Sequence, residues 1–321
     1  MAIAFGQNAW IGFAEEVTYN TPVTPMTKWL EITDESIAAK QSWMSKPSLG
    51  RNSQRNKVKS RKAIDGSFKI QATFDGIERL FKHAMGTDNL TGPVNGAYTH
   101  AFALASALPV GLTVQVNRDS QNLGATTVWQ YSGCQINQLT ISQGIEDFLT
   151  INCSIIGADY TMVAFASPTF PTFTGIDWEQ GVSAAILLNG STFQPQSFEL
   201  TIDNNLANDR YKLGTRIRKG LGRAGVRKIT GKFVVELESL TEYNFFLALL
   251  ATNIQFQWTG PGAGSTTYQL TLNCPNIVLN GDEPSTKDGG PYLYSATFEA
   301  YQSAAANDEL TITLRNLVSA I

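Results

Sequence analysis

The chain echoes itself at a distance of 165 residues. Residues 63 to 88 read AIDGSFKIQATFDGIERLFKHAMGTD, and residues 228 to 253 read KITGKFVVELESLTEYNFFLALLATN. At that offset Ile64 meets Ile229, Gly66 meets Gly231, Phe68 meets Phe233, Ile70 meets Val235, Phe81 meets Phe246 and Thr87 meets Thr252. Both stretches open in period two, Phe68/Ile70/Ala72 and Phe233/Val235/Leu237. That alternation belongs to a strand with one buried face. Both then change to helical spacing, with Ile77, Leu80, Phe81 and Ala84 in the first and Phe245, Phe246, Leu249 and Leu250 in the second. The same elements in the same order, twice, restrict the fold to two copies of one unit.

The echo extends outward with small shifts. Leu49-Gly50 matches Leu213-Gly214, and Leu30-Glu31-Ile32-Thr33 resembles Phe198-Glu199-Leu200-Thr201. Downstream, Leu112 to Val116 resembles Asn253 to Gln257. A following strand carries Cys134 in one copy and Cys274 in the other. Alternating strands around Phe148 to Ile156 and Tyr292 to Tyr301 close the copies. Turn signals stand at Asp65-Gly66, Asn95-Gly96, Asn189-Gly190 and Asn280-Gly281. The expected fold is mainly β with one helix per repeat. Residues 1–28, punctuated by Pro22 and Pro25, read as an N-terminal arm, 29–160 as the first repeat, and 182–321 as the second. Residues 161–181, with Pro168, Pro171 and Gly175, read as a linker.

Charged residues are only 16% of the chain, against about 25% in ordinary soluble domains. A sparse charge fits surfaces that assembly will cover. Three cysteines, Cys134, Cys153 and Cys274, without CxxC spacing read as buried free thiols and not as a disulfide framework or zinc site. No basic-then-apolar leader opens the chain, and no apolar run reaches a membrane span, so a soluble protein made and used without secretion is expected.

The positive charge is concentrated. Arg51, Arg55, Lys57, Lys59, Arg61 and Lys62 occupy one stretch without an acid. Arg210, Lys212, Arg216, Arg218, Lys219, Arg223, Arg227 and Lys228 occupy another. The two hold 14 of the 24 Lys and Arg and sit just before the duplicated strand in each copy. Docking onto an acidic surface of another subunit is one reading. Phosphate binding is a second, but the aromatics that would stack bases reduce to Tyr211 and the net charge is −3. Two solvated loops are the third.

Catalytic patterns are missing. Gly220-Leu221-Gly222-Arg223-Ala224-Gly225 fits GxGxxG, but a basic run precedes it and a strand follows, where a dinucleotide site needs an apolar strand and then a helix. The only histidines, His83 and His100, have no nucleophile in view, and Glu15-Glu16 and Asp34-Glu35 are adjacent and point apart. Trp10, Trp29, Trp43 and Trp178 read as core or interface residues, with a sugar-binding face as the alternative. No catalytic, cofactor or metal site is expected.

Residues 12 to 25, GFAEEVTYNTPVTP, resemble the opening of a family of phage tail tube proteins, with Asn20 where that family usually has Gly. Trp29 to Ser36, Leu49-Gly50-Arg51, the run from Gly66 to Gly86, and Tyr131-Ser132-Gly133-Cys134-Gln135-Ile136-Asn137-Gln138-Leu139-Thr140-Ile141-Ser142 continue the resemblance. It is closer in the first half than in the second. The resemblance implies a β-sandwich-like unit with one helix. Such units join side by side, closing their sheets into a barrel around a DNA channel. Stacked rings then form the tube of a virion tail, in contact with tape measure, tail tip and terminator proteins. The long loop that reaches the next ring falls on residues 40–62 and 205–228. Six tube units make a ring, so two units per chain imply three chains per ring, with six chains as the alternative. Another β-rich tail, baseplate or adhesin component is the competing reading.

Overall fold

The computed structural model describes residues 5–46, 49–50, 52–53, 55–123, 127–181, 185–220, 222–237, 240, 243–244, 247, 250–281, 292–303 and 307–319. Nearly everything is antiparallel strand. In the first half β1 (Ala9–Glu15), β2 (Lys28–Glu31), β8 (Leu112–Arg118), β9 (Val128–Gly144) and β11 (Asp159–Val163) form one sheet in the order β2-β1-β8-β9-β11. Residues 9–15, placed in an arm by the sequence reading, are therefore a core strand, with Ile11 and Phe13 buried. A second sheet runs β9, β10 (Thr150–Gly157), β5 (Arg55–Gln71), and then β3 (Asp34–Glu35) and β4 (Ala38–Lys46). The long strand β9 belongs to both sheets, pairing β8 and β11 through its first half and β10 through its second.

The second half follows the same plan. Strand β17 (Thr266–Gly281) pairs β16 (Thr252–Ala263) and β19 (Thr311–Asn316), and its last residues pair β18 (Leu293–Ala300). Then come β15 (Lys228–Glu236) and β14 (Ser197–Asp203), and on the far side of β16 the short hairpin β12 (Leu187–Leu188) and β13 (Ser191–Thr192). The ladders correspond residue for residue. Ile64 lies opposite Gly157 and Gln71 opposite Thr150; Ile229 lies opposite Ala300 and Glu236 opposite Leu293. Shifts of 165 and 143 residues carry one pair of strands onto the other. The same 143 takes Gln135 opposite Ile156 to Val278 opposite Glu299.

Two of the sequence matches move. Asp34 to Lys40, not the stretch around Leu30, takes the place of Ser197 to Asp203: Asp34 faces Lys69 as Ser197 faces Val234. Val114 and Val116 correspond to Ile254 and Phe256, one residue away from the alignment read in the sequence. A one-residue slip turns a strand over, but β8 is buried on both faces from Leu112 to Asn117 and offers no alternation by which to choose.

The two halves share hydrogen bonds. Strand β14 pairs β9 from Ser197 opposite Gly144 to Asp203 opposite Gln138, which joins the second sheets of the two halves into one. The hairpin of β6 (Gly86–Val94) and β7 (Ala97–Leu104), with its Asn95-Gly96 turn, pairs with β19 across the molecule. The buried apolar residues form one cluster that runs through both halves.

The helix α1 (Glu78–Met85) is where the spacing placed it, with Ile77, Leu80, Phe81 and Ala84 fully buried and Gly86 in the left-handed region at its end. Of the matching stripe in the second copy, Phe245, Phe246 and Leu249 lie outside the described residues and Leu250 is exposed. Asp65-Gly66 is not a turn; it lies inside β5, and a Cβ on Gly66 would come 2.4 Å from the Ile37 Cα. We expect Gly66→Ala to lower stability by roughly 1–3 kcal/mol through that clash and its positive φ, read as a drop in the urea midpoint.

His100 on β7 is fully buried, with Nδ1 2.9 Å from Asp88 Oδ2 and Nε2 2.9 Å from the Val318 carbonyl. Burial works against its charge, but bonding to Asp88 and to the Val318 carbonyl outweighs burial and raises its pKa above the ordinary 6.5. A raised histidine pKa contributes stability that is full below the unfolded value and fades as pH rises through the folded one. The urea midpoint of the wild type should therefore fall as pH climbs above about 6.5, and His100→Gln should remove that part of the pH dependence.

Candidate assembly surfaces

From Trp43 and Lys59 outward the β4–β5 hairpin leaves the body of the protein. Trp43 is 63% exposed, Met44 57% and Val58 60%, so both faces of the ribbon meet solvent. Leu49 is fully exposed beside Gly50, whose φ is +82°. A lone two-stranded ribbon is marginal in water, and a run of exposed large apolar side chains marks a contact surface. The first basic stretch is therefore mainly strand and not the loop that its composition suggested. Lys57, Lys59 and Arg61 are exposed on β5, Arg61 lying 5.6 Å from the Tyr211 ring centre. Lys62 is partly buried, paired with Asp159 and 4.5 Å from the Tyr160 ring centre. Arg55 belongs to the β4–β5 ladder, and Arg51 lies outside the described residues.

The second basic stretch behaves differently. Residues 204–227 connect β14 to β15 and fold back along the first half. Lys62 N donates to the Arg216 carbonyl (2.8 Å), Tyr211 Oη to the Lys62 carbonyl (2.9 Å), and Arg216 Nε to the Ser60 carbonyl (2.7 Å). Arg218 is 2% exposed; its guanidinium donates to the carbonyls of Asn208 and Gly157, both at 3.0 Å, and lies 3.4 Å from Asp65 Oδ1. Arg223 reaches the carbonyls of Ser106 and Ala105, and Arg227 reaches Ala105 and Glu309. These three arginines hold the chain to itself. Arg210, Lys212, Lys219 and Lys228 are exposed, and Arg216 is half-buried. The strap turns at Leu213-Gly214, where Leu213 is fully exposed and Gly214 has φ +87°. Its glycines at 220, 222 and 225 lead into β15, which is not the context of a nucleotide site.

The same device thus stands at the start of the first basic stretch and within the second, an exposed leucine beside a left-handed glycine. The basic residues were visible in composition. Among the apolar ones, Trp43 reads from the sequence as a core or interface residue, whereas Met44, Leu49, Val58 and Leu213 give no signal beyond interrupting a polar run.

The joined sheet offers a different surface. One of its faces is buried; the other carries Gln138, Thr140, Asn152, Ser154, Thr201, Ser295 and Thr297. Its charges come in both signs, Lys69, Lys228 and Lys232 against Glu199, Asp203, Glu236 and Glu299, with Lys232 and Glu199 3.2 Å apart. Small polar side chains of balanced charge make a smooth wall with little hold on a polyanion.

The titratable groups within the fold are tied up. Burial pushes Glu15 upward, but hydrogen bonds from His83 and Lys82 outweigh it and hold the carboxyl at about 2. Burial lowers His83, so this histidine is a neutral donor to Glu15 at neutral pH. Cys134, Cys153 and Cys274 are buried, and burial raises all three thiols. Among the described residues no three His, Cys, Asp or Glu side chains gather at one point, and no helix is long and apolar enough to cross a membrane.

A family model described as phage tail tube protein matches residues 6–300. No curated protein matches the chain. Truncating the buried Arg218 to Ala should cost the monomer about 2–4 kcal/mol, because the carbonyls of Asn208 and Gly157 lose their donors. Lys57→Ala on the exposed ribbon should change monomer stability by less than about 0.5 kcal/mol, both read from urea unfolding.

Proposed function

Since the chain belongs to the phage tail tube protein family, a family of structural virion components and not of enzymes, we propose that three copies close each ring of a DNA-conducting tube, six tube units to a ring. The β4–β5 ribbon of one ring docks on the next. The observation that carries the reading is that ribbon. Beyond the strap contacts at its base, it projects with Trp43, Met44 and Val58 exposed on its two faces and Lys57 and Lys59 exposed beside them. Burying one exposed leucine at a ring contact contributes about 2 kcal/mol, so Leu49 and Leu213 on each of three chains add up quickly. Support for two units per chain comes from the shared ladder registers of the halves. The polar, charge-balanced face of the joined sheet suits a channel wall that DNA passes without sticking. Tape measure, tail tip and terminator proteins are the expected neighbours at the ends of such a tube, in a tail assembled in the host cytoplasm.

End-on electron micrographs of purified assemblies test the ring count. Three chains per ring are expected; six would discard the two-unit reading and keep the tube. The triple variant Lys57→Glu, Lys59→Glu, Arg61→Glu should melt like the wild type and fail to form tubes. Normal tubes from it would remove the ribbon's basic residues from ring docking.

A further inference from the structure

We infer that the end of the molecule opposite the ribbon is a socket, two apolar crevices flanking the acidic turn at 145–148, and that its occupant is the ribbon of a second copy of this chain. This rests on the tube reading above and adds to it where the ribbon lands.

Strand β5 gives the molecule a direction. Its Arg55 end carries the ribbon, and its other end, at Gln71, pairs Thr150 of β10. Roughly 40 Å of strand separates Lys59 from Gln71. The strap lies at the ribbon end, since Arg216 is bonded to Ser60 and Lys62. The exposed cations Lys57, Lys59, Arg61, Arg210, Lys212 and Lys219 therefore gather at one end.

The opposite end is built from different material. No Lys or Arg occurs between Arg118 and Arg210, while nine Asp and Glu do. That stretch supplies the β9–β10 turn and the segment after β11, and both are fastened at the Gln71 end. Phe74 N donates to the Thr174 carbonyl (3.0 Å), Leu149 N to the Ile176 carbonyl (2.7 Å) and Ile176 N to the Ala72 carbonyl (3.0 Å). Glu146, Asp147 and Glu179 are exposed there, joined by Glu31 at the end of β2 and Glu236 at the end of β15. Lys69, two residues in from Gln71, stands opposite Asp34 in the ladder.

Exposed apolar side chains stand among these acids: Ile145, Phe170, Phe173 and Trp178. They line the two crevices. One, of about 160 Å³, lies under the segment after β11 and is walled by Leu30, Ile70, Phe170, Pro171 and Phe173, with Glu31 beside them. The other, of about 90 Å³, lies where the two halves meet and is walled by Ile145, Trp178, Ile186, Pro195, Phe198 and Trp258. The acidic turn links them, with Ile145 in one and Phe148 packed edge-on against Phe173 of the other. Both are smaller than the roughly 300–1,000 Å³ that encloses a small-molecule ligand, and they suit single side chains. Aromatic side chains within a polar rim are the make-up of a protein contact.

The ribbon brings the complement, Trp43, Met44 and Val58 flanked by Lys57 and Lys59. Opposite charges at the two ends of one molecule favour head-to-tail contact and oppose head-to-head contact. A head-to-tail contact that does not close runs on as a filament. The socket thereby sets the direction of stacking as well as the place of contact.

Charge exchange is the first test. Glu31→Lys, Glu146→Lys and Glu179→Lys together reverse the socket at three exposed positions. This variant should melt like the wild type, still form rings, and give at least tenfold less pelletable tube. Adding Lys57→Glu, Lys59→Glu and Arg61→Glu exchanges the signs at both ends and should bring tubes back. Normal tubes from the socket variant, or a combined variant that assembles no better than either parent, overturn the socket and leave the tube standing. If charge reversal prevents folding, a photo-crosslinking p-benzoylphenylalanine in place of Met44 decides in otherwise wild-type tubes. It should attach to peptides spanning 145–148 or 170–179 of another chain; attachment elsewhere, or none, overturns the socket. A wild-type chain that never forms rings, alone or on a tail initiator, removes the tube reading and the socket with it.

Discussion

Everything in this molecule hangs on two long strands that each join two sets of neighbours. Strands β9 and β17 pair one set of neighbours with their first halves and another set with their last residues. A strand shared in this way fixes the angle between its sheets and the register within both. Moving it by one residue would turn its buried face outward. The cost would fall on both sheets at once, since Tyr131, Ile136, Leu139 and Ile141 on β9 are all buried. The same dependence explains why the ladder offsets hold over β5 and β10 and along β9 as far as Ile136, where a bulge at Asn137 adds one residue to the first half, while connections between strands differ freely.

The insertions and excursions fall outside that frame. The first half carries the β6–β7 hairpin between α1 and β8; in the second half β15 ends at Glu236 and β16 begins at Thr252. The polypeptide before the duplicated strand is a projecting ribbon in one half and a folded-back strap in the other. The strap is fastened by arginines whose partners are mostly main-chain carbonyls. Guanidinium forks suit that work, since one side chain satisfies several acceptors at once. Similar composition therefore serves two ends: in the strap much of the positive charge is spent internally, and in the ribbon it stays at the surface.

Much of the frame could be read from the chain alone, for identifiable reasons. The change from period two to helical spacing placed β5 and α1, because Phe68, Ile70, Ile77, Leu80 and Phe81 are all core residues with no competing role. Asn95-Gly96 and Asn189-Gly190 are hairpin turns with positive φ at both positions. Asp65-Gly66 carries a similar signal and is no turn; its glycine is needed because Ile37 passes too close for a side chain. The strand character of residues 55–62 was hidden by their charge, since exposed ribbon has neither an apolar face nor alternation. The burial of Arg218 left no local signal, because its partners come from residues 65, 157 and 208.

The reach of the β6–β7 hairpin has a bearing on biosynthesis. Ala101 of β7 finds its partner Thr313 of β19 only near the end of the chain. A ribosome adding about 5–20 residues each second needs roughly 10–40 s to make the stretch between them. For that time β7 has β6 on one side and nothing on the other, and Phe102 and His100 wait for their cover. The first half therefore leaves the ribosome with an open seam that only the last strand of the same molecule closes. A host chaperone that shields strand edges has its most useful moment there, before a neighbouring nascent chain supplies the wrong strand.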